Sequence, residues 1–291
     1  MALDPFLERL SSLLRGYADD GRLGIAFSGG LDSRFLTHMA VASGIDPVLL
    51  HCSGPHIAPA ETAYAKDWAK RRGLRFVELS LDPLGLEAVR DNSEERCYYC
   101  KQMLYGAMLT HLNAACELPT GEIQGPFPGI PLCDGSNLSD RLAYRPGMKA
   151  SHELGVRSPL AEAGLDKTRI RALAVRTGLD NPEQRARPCM LTRLAYGMSP
   201  TADLLGKLAG AEEAIEGLLH AAGDGNPDFR LRCPEQGCVE LHTLTDISET
   251  ARRAMTDAVR ACGLPAPSFQ RVDTLSGYYD RQQIDTAEAD G

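Results

Sequence analysis

The stretch Leu23-Gly24-Ile25-Ala26-Phe27, followed at once by Ser28-Gly29-Gly30-Leu31-Asp32-Ser33, decides how the rest of the chain is read. Five mostly apolar residues bounded by a turn make a short buried strand, and the glycine pair opens the helix behind it. That is the first half of a βαβ unit, completed by a second strand at Val48 to His51 (VLLH). Working outward, an amphipathic helix precedes the first strand. A third strand is expected at Leu74 to Leu79 after a helical Glu61 to Arg72, and a fourth at Ile130 to Cys133 after a helical Tyr98 to Ala115. Alternation of this kind predicts an α/β fold with a doubly wound parallel sheet.

The Gly- and Pro-rich stretch Pro119 to Pro131 is a loop, an insertion or a lid, and Asp134 to Pro159 is polar and loop-like. Helical periodicity resumes over Lys167 to Thr177 and stops at the breakers Pro182 to Pro188. Beyond Gly197 the text changes to a long Ala- and Leu-rich helix at 201–222, strands at Phe229 to Arg232 and Val239 to Thr243, a helix at Glu249 to Cys262 and a last strand at Ser268 to Val272. The expected organisation is a large domain at 1–197, a small α+β domain at 198–279 and an acidic, fraying tail at 280–291.

The 291 residues are 43% hydrophobic and 24% charged, with no apolar run of membrane-spanning length, so the expectation is a soluble chain without a membrane partner. Lys and Arg number 31 against 39 Asp and Glu, a net charge of -8 that gives no overall attraction for a nucleic-acid backbone. The first residues lack the cationic and apolar regions of a signal peptide, and the nine cysteines are odd in number, so a reducing cytoplasm and thiols with chemical work are expected.

Glycines between strand and helix let backbone N–H groups converge on an anion, and the hydroxyls of Ser28 and Ser33 add donors. Asp32 would repel a bare phosphate and makes sense with Mg2+ between them. The spacing is not that of a Walker loop, and a glycine turn can also be a plain connection.

SGGLDS after an apolar strand resembles the loop of the PP-loop ATP pyrophosphatases, which cleave ATP between its α- and β-phosphates. RCYYCK at Arg96 to Lys101, DGSNLSD at Asp134 to Asp140, YRPGMKA at Tyr144 to Ala150, RSPLAEAGLDKTRIR at Arg157 to Arg171 and CMLTRLAYG at Cys189 to Gly197 then narrow the likeness. Together they resemble the LarE family of ATP-dependent sulfur transferases over most of residues 20–200. The resemblance implies that ATP adenylates a carboxylate of pyridinium-3,5-biscarboxylate mononucleotide, a small-molecule substrate, and that sulfur displaces AMP to leave a thiocarboxylate. Adenylation gives the carboxylate a leaving group it otherwise lacks, and a thiolate or sulfide is a strong nucleophile near neutral pH.

On this reading Ser28, Gly29, Gly30, Asp32, Ser33, His51 and Asp134 bind ATP. Arg145, Lys149, Arg157, Arg230 and Arg232 are expected to bind the substrate, while Asp32, Cys189 and Arg193 act in catalysis; Arg145, Lys149, Arg157 and Arg193 can each equally be a surface cation or a helix C-terminal partner. Asp134 to Asn137 can equally be an Asx turn, and His51 a satisfied edge histidine. Cys189 stands where the family places its sulfur-handling cysteine. In the sacrificial form that cysteine gives up its own sulfur. Cys233 and Cys238 add a second pair, and three thiolates suit a 4Fe-4S cluster that carries an extra sulfide, as in a cluster-dependent branch; the sulfide source is open. Core packing or zinc are the other readings of that pair. Cys97 and Cys100 form a Cys-x-x-Cys motif at a helix start and are the rival thiol site. Short exposed strands in the small domain point to a homo-oligomer. The rival functions are tRNA thiolation and a nucleotide- or redox-sensing protein without turnover.

Overall fold

The computed structural model describes the chain except residues 1–3, 115, 118–122, 125–128, 143–145, 223–227 and 282–291. The loop expected at Pro119 to Pro131, Arg145 and nearly all of the tail therefore lie largely or wholly outside the described residues. In order, the elements are α1 (Pro5–Tyr17), β1 (Arg22–Ala26), α2 (Leu31–Ala42), β2 (Asp46–Ser53), α3 (Pro59–Arg71), β3 (Arg75–Ser80), α4 (Glu87–Arg90) and α5 (Arg96–Asn113). They continue with β4 (Cys116–Glu117), β5 (Ile123–Gln124), β6 (Leu132–Cys133), α6 (Pro146–Glu153), α7 (Pro159–Glu162) and α8 (Lys167–Arg176). Last come α9 (Ala202–Ala222), β7 (Phe229–Arg232), β8 (Glu240–Thr243), α10 (Glu249–Ala261) and β9 (Ser268–Arg271).

The chain divides into two compact units. The first comprises Met1–Gly54, Glu61–Leu81 and Cys97–Arg187. Its parallel sheet has the order β3-β2-β1-β6, with Gly24 opposite Val48 on one side and Leu132 on the other. Side chains alternate across a strand, so the sheet has two apolar faces. Leu23, Ile25 and Leu49 pack with Leu10, Phe35, Leu36, Trp68, Ile170 and Leu173 from α1, α2, α3 and α8. Val48, Leu50 and Cys52 pack with Tyr105, Met108 and Leu112 of α5. Gly24 is small for a reason: a Cβ there would lie 2.7 Å from Leu112 Cδ1.

A helix, α6, lies within the segment expected to be loop. Its buried positions Gly147, Ala150 and Ser151 are all small, and a Cβ at Gly147 would meet Lys101 Cδ at 2.7 Å. Helical burial there rests on close backbone approach, which leaves no apolar period to read.

The second unit gathers Pro55–Ala60, Asp82–Arg96 and Pro188–Gly291. By packing, residues 188–197 thus group with the C-terminal unit, whereas the sequence division at 197 assigns them to the large domain. Leu194 pairs with Cys233 at the end of β7, and a buried ion pair joins Arg193 to Glu212 of α9. The unit's sheet has the order β7-β8-β9, with β7 antiparallel and β9 parallel to β8. Among the described residues no helix is long and apolar enough to cross a membrane.

Candidate functional site

In the first unit the loop after β1 is a glycine turn held by its own hydroxyls. Gly30 N–H donates to Ser28 Oγ at 3.2 Å, Ser33 Oγ donates to the Gly30 carbonyl at 3.0 Å, and the two hydroxyl oxygens lie 3.2 Å apart. Gly29 has φ +78°, and a Cβ there would be 2.9 Å from Ala65 Cβ of α3, so both conformation and space demand glycine. Gly30 caps α2 without a side-chain hydrogen bond. The first turn of that helix therefore keeps donors that an anion can take up.

Asp32 sits one residue inside α2. Its Oδ2 accepts from Asn137 Nδ2 at 3.2 Å, while Oδ1 is buried and accepts no hydrogen bond. Burial pushes this carboxyl above its ordinary value, with Lys167 drawing it down, Asp140 raising it, and Asn137 and Arg171 lowering it. An orphaned, buried carboxylate oxygen beside the glycine turn is what a divalent cation would complete, so the residues fit Mg2+. Sequence reading did not single out Lys167 and Arg171, although both stand in the block that ends at Arg171.

Asp134 reaches the same edge of the sheet, but as the organiser of its loop. Its oxygens accept from Tyr105 OH (3.1 Å), Ser136 N (3.1 Å) and Oγ (2.8 Å), and Ser158 Oγ (2.8 Å). This is the Asx turn, and it presents Asn137 to Asp32. A Cβ on Gly135 would come within 3.0 Å of Ser33 N, so the loop lies directly on the start of α2. His51 is a satisfied histidine. Its Nδ1 donates to the Phe27 carbonyl at 2.8 Å, and its Nε2 lies 3.0 Å from Thr62 Oγ1, leaving neither nitrogen for adenine. Lys149 and Arg157 are exposed, over the rings of Tyr98 and Tyr17 respectively.

Arg34 and Gln184, neither singled out from sequence, brace the turn. Arg34 is fully buried and donates from Nε and Nη2 to Gln184 Oε1 at 3.0 and 2.6 Å, and to the carbonyls of Asp180 and Asn181 at 2.8 and 2.9 Å. Gln184 Nε2 in turn donates to the Gly29 carbonyl at 3.2 Å. Their partners are about 150 positions away in sequence, beyond the reach of any local pattern.

In the second unit Cys189 caps the 3₁₀ turn Met190–Arg193 and is half-buried. Arg193, expected to be catalytic, is buried and paired through two bonds with Glu212, at 3.0 Å from Nε and 2.7 Å from Nη2; its Nη1 donates to the Pro188 carbonyl at 3.0 Å. It braces the Cys189 turn. Burial alone would raise Glu212, but Arg193, Arg230 and the Leu231 N–H outweigh it and hold the carboxyl below its ordinary value. Arg232 is likewise buried, donating to the carbonyls of Thr192 and Leu275 beneath the rings of Tyr278 and Tyr279.

The chain brings the 189–195 segment alongside the end of β7: Cys233 N–H donates to the Arg193 carbonyl at 2.7 Å, and Ala195 N–H to the Cys233 carbonyl at 3.1 Å. Cys233 and Cys238 line one hollow of about 770 Å³ with Tyr196, Gly197 and Leu264. Cys189 is not among the lining residues, and no group of three or more metal-ligating side chains is gathered among the described residues. Cys238 is exposed and its thiol donates to Glu235 Oε1 at 3.2 Å, whereas burial pushes the Cys233 thiol up to about 12. The donor type suits an iron–sulfur centre, and two of the three donors share a cavity. Cys97 is exposed and Cys100 buried on the first turns of α5.

No protein-family profile matches the chain. The pyridinium-3,5-bisthiocarboxylic acid mononucleotide synthase of Lactiplantibacillus plantarum is 31% identical over 224 residues, 76% of this chain and 75% of that one. An uncharacterized protein of Synechocystis is 29% identical over 70% of this chain and 72% of its own, and one of Methanocaldococcus jannaschii 26% identical over 75% and 79%. With the parallel sheet, the glycine turn at 28–33 and the cysteine-bearing segment at 189–197 all in place, that identity over three quarters of both chains means that this chain belongs to the LarE family of sulfur transferases.

Proposed function

We propose that the chain is an ATP-dependent sulfurtransferase that adenylates a carboxylate of pyridinium-3,5-biscarboxylate mononucleotide and converts it to a thiocarboxylate in the cytoplasm. The observation that carries the reading is the anion turn with the unpartnered, buried Asp32 Oδ1 at its side. The N–H groups at the start of α2, with the Ser28 and Ser33 hydroxyls, are suited to a nucleotide's phosphate oxygens. Asp32 would hold Mg2+, oriented by Asn137, and the ion would neutralise charge on the leaving pyrophosphate. Lys167 and Arg171 add positive charge on the same side, and Lys149, Arg157 and Arg145 are assigned to the substrate nucleotide.

For the sulfur we assign a 4Fe-4S cluster to Cys189, Cys233 and Cys238, which would supply a sulfide on the iron left without a protein ligand. The soft donors, the hollow shared by Cys233 and Cys238 and the pairing of Arg193 to Ala195 with Cys233 support it. The sacrificial route, in which Cys189 Sγ attacks the adenylate, AMP leaves and the Cβ–S bond then breaks to give dehydroalanine, is favoured by a different observation: Cys189 is not among the residues that line the hollow. The mass of the polypeptide after turnover decides. Anaerobically iron-loaded protein supplied with inorganic sulfide to reload the cluster is expected to form several products per chain with its mass unchanged. A loss of about 34 Da, one hydrogen sulfide, identifies the sacrificial route. Absence of pyrophosphate release with ATP, Mg2+ and the biscarboxylate overturns the ATP assignment itself.

A further inference from the structure

We infer that Gln184 is a positioning residue of the anion turn, fixing the Gly29–Gly30 peptide with its carbonyl directed away from the phosphates. This rests on the reading of that turn as the ATP site. In a trans peptide the carbonyl and the next N–H point in opposite directions. Here the Gly29 carbonyl accepts from Gln184 Nε2 at 3.2 Å, while the Gly30 N–H is directed to the Ser28 hydroxyl, on the side of Ser33 and the start of α2. A peptide between two glycines rotates easily. Were it to flip, the carbonyl lone pairs would face the phosphate oxygens and a donor would be lost.

The orientation of the Gln184 amide is itself decided by chemistry. Arg34 is a donor only, fully buried, and places Nε and Nη2 at 3.0 and 2.6 Å from one amide atom, which must be the oxygen. The amide nitrogen is thereby turned to Gly29. Arg34 also takes the Asp180 and Asn181 carbonyls, so the segment carrying Gln184 cannot drift from α2.

The test separates positioning from plain support of the fold. Gln184→Glu keeps an acceptor for Arg34 and gains an ion pair, but sets an oxygen against the Gly29 carbonyl. Gln184→Met removes the donor to Gly29 without adding charge and also takes the acceptor from Arg34 Nε and Nη2, so its melting temperature is expected to fall, and Gln184→Glu, which keeps that acceptor, separates the two effects. ATP with Mg2+ is titrated into each protein by calorimetry, alongside melting temperature and the kinetics of pyrophosphate release. Expected for Gln184→Met is a loss of ATP affinity of about three- to tenfold, the worth of one neutral hydrogen bond, with KM rising and kcat held. For Gln184→Glu the loss exceeds about tenfold while the melting temperature stays level or rises, because a donor is replaced by a repelling acceptor. Unaltered ATP affinity in both variants, whatever the melting temperature does, overturns this assignment alone. Failure of the unaltered protein to bind ATP overturns the ATP reading and this assignment with it.

Discussion

Arg193 shows how a side chain that looks catalytic in a sequence can be committed to structure. Arg193 is 2% exposed, and its guanidinium is engaged by Glu212, Pro188 and Thr192. Removing one partner of a buried pair strands the other charge, so Glu212→Ala is expected to cost about 3–5 kcal/mol in denaturant unfolding. The double variant Arg193→Met with Glu212→Leu should cost much less than the two single changes summed. Strict additivity would show that the pair is not coupled. The sign with pH follows: the folded carboxyl lies below its ordinary 4.5, so its contribution is full above that value and is lost as pH falls through the folded value. From sequence Arg193 had no visible partner, because Glu212 lies 19 residues on, in a different element.

At the scale of elements, the sheet was legible because its strands are short apolar runs ending in turns. All four parallel strands stand within a few residues of where alternation puts them. Helix α6 was not legible, since what it buries is small: Gly147, Ala150 and Ser151. Gly24 shows the same logic inside a strand. Gly24→Ala is expected to destabilise the protein by about 1–3 kcal/mol through overpacking against Leu112, which is 1% exposed and boxed in by Tyr105 and Met108. In a Leu112→Val background the cost should shrink. An equal cost in both backgrounds would place the strain elsewhere.

For the whole molecule, charge argues against the tRNA reading: a net charge of -8 offers no general attraction to a polyanion. The division into units carries a sharper consequence. Cutting the chain after Gly197 removes Glu212 from Arg193 and Cys233 from Leu194, and exposes Met190, Leu191 and Leu194, all buried in the intact second unit. A 1–197 fragment is therefore expected to aggregate, whereas a soluble, monomeric fragment by gel filtration with native-like circular dichroism would contradict this packing. The sequence by itself determined the parallel strands, the glycine turn between β1 and α2 and the family, because these are written in contiguous residues and local periodicity. Only the tertiary structure decided that Arg193 and Arg232 are internal braces, that His51 is already satisfied and that Gln184 holds the glycine turn. Each of those roles depends on a partner brought close by folding, and a one-dimensional pattern carries no distance between residues far apart in the chain.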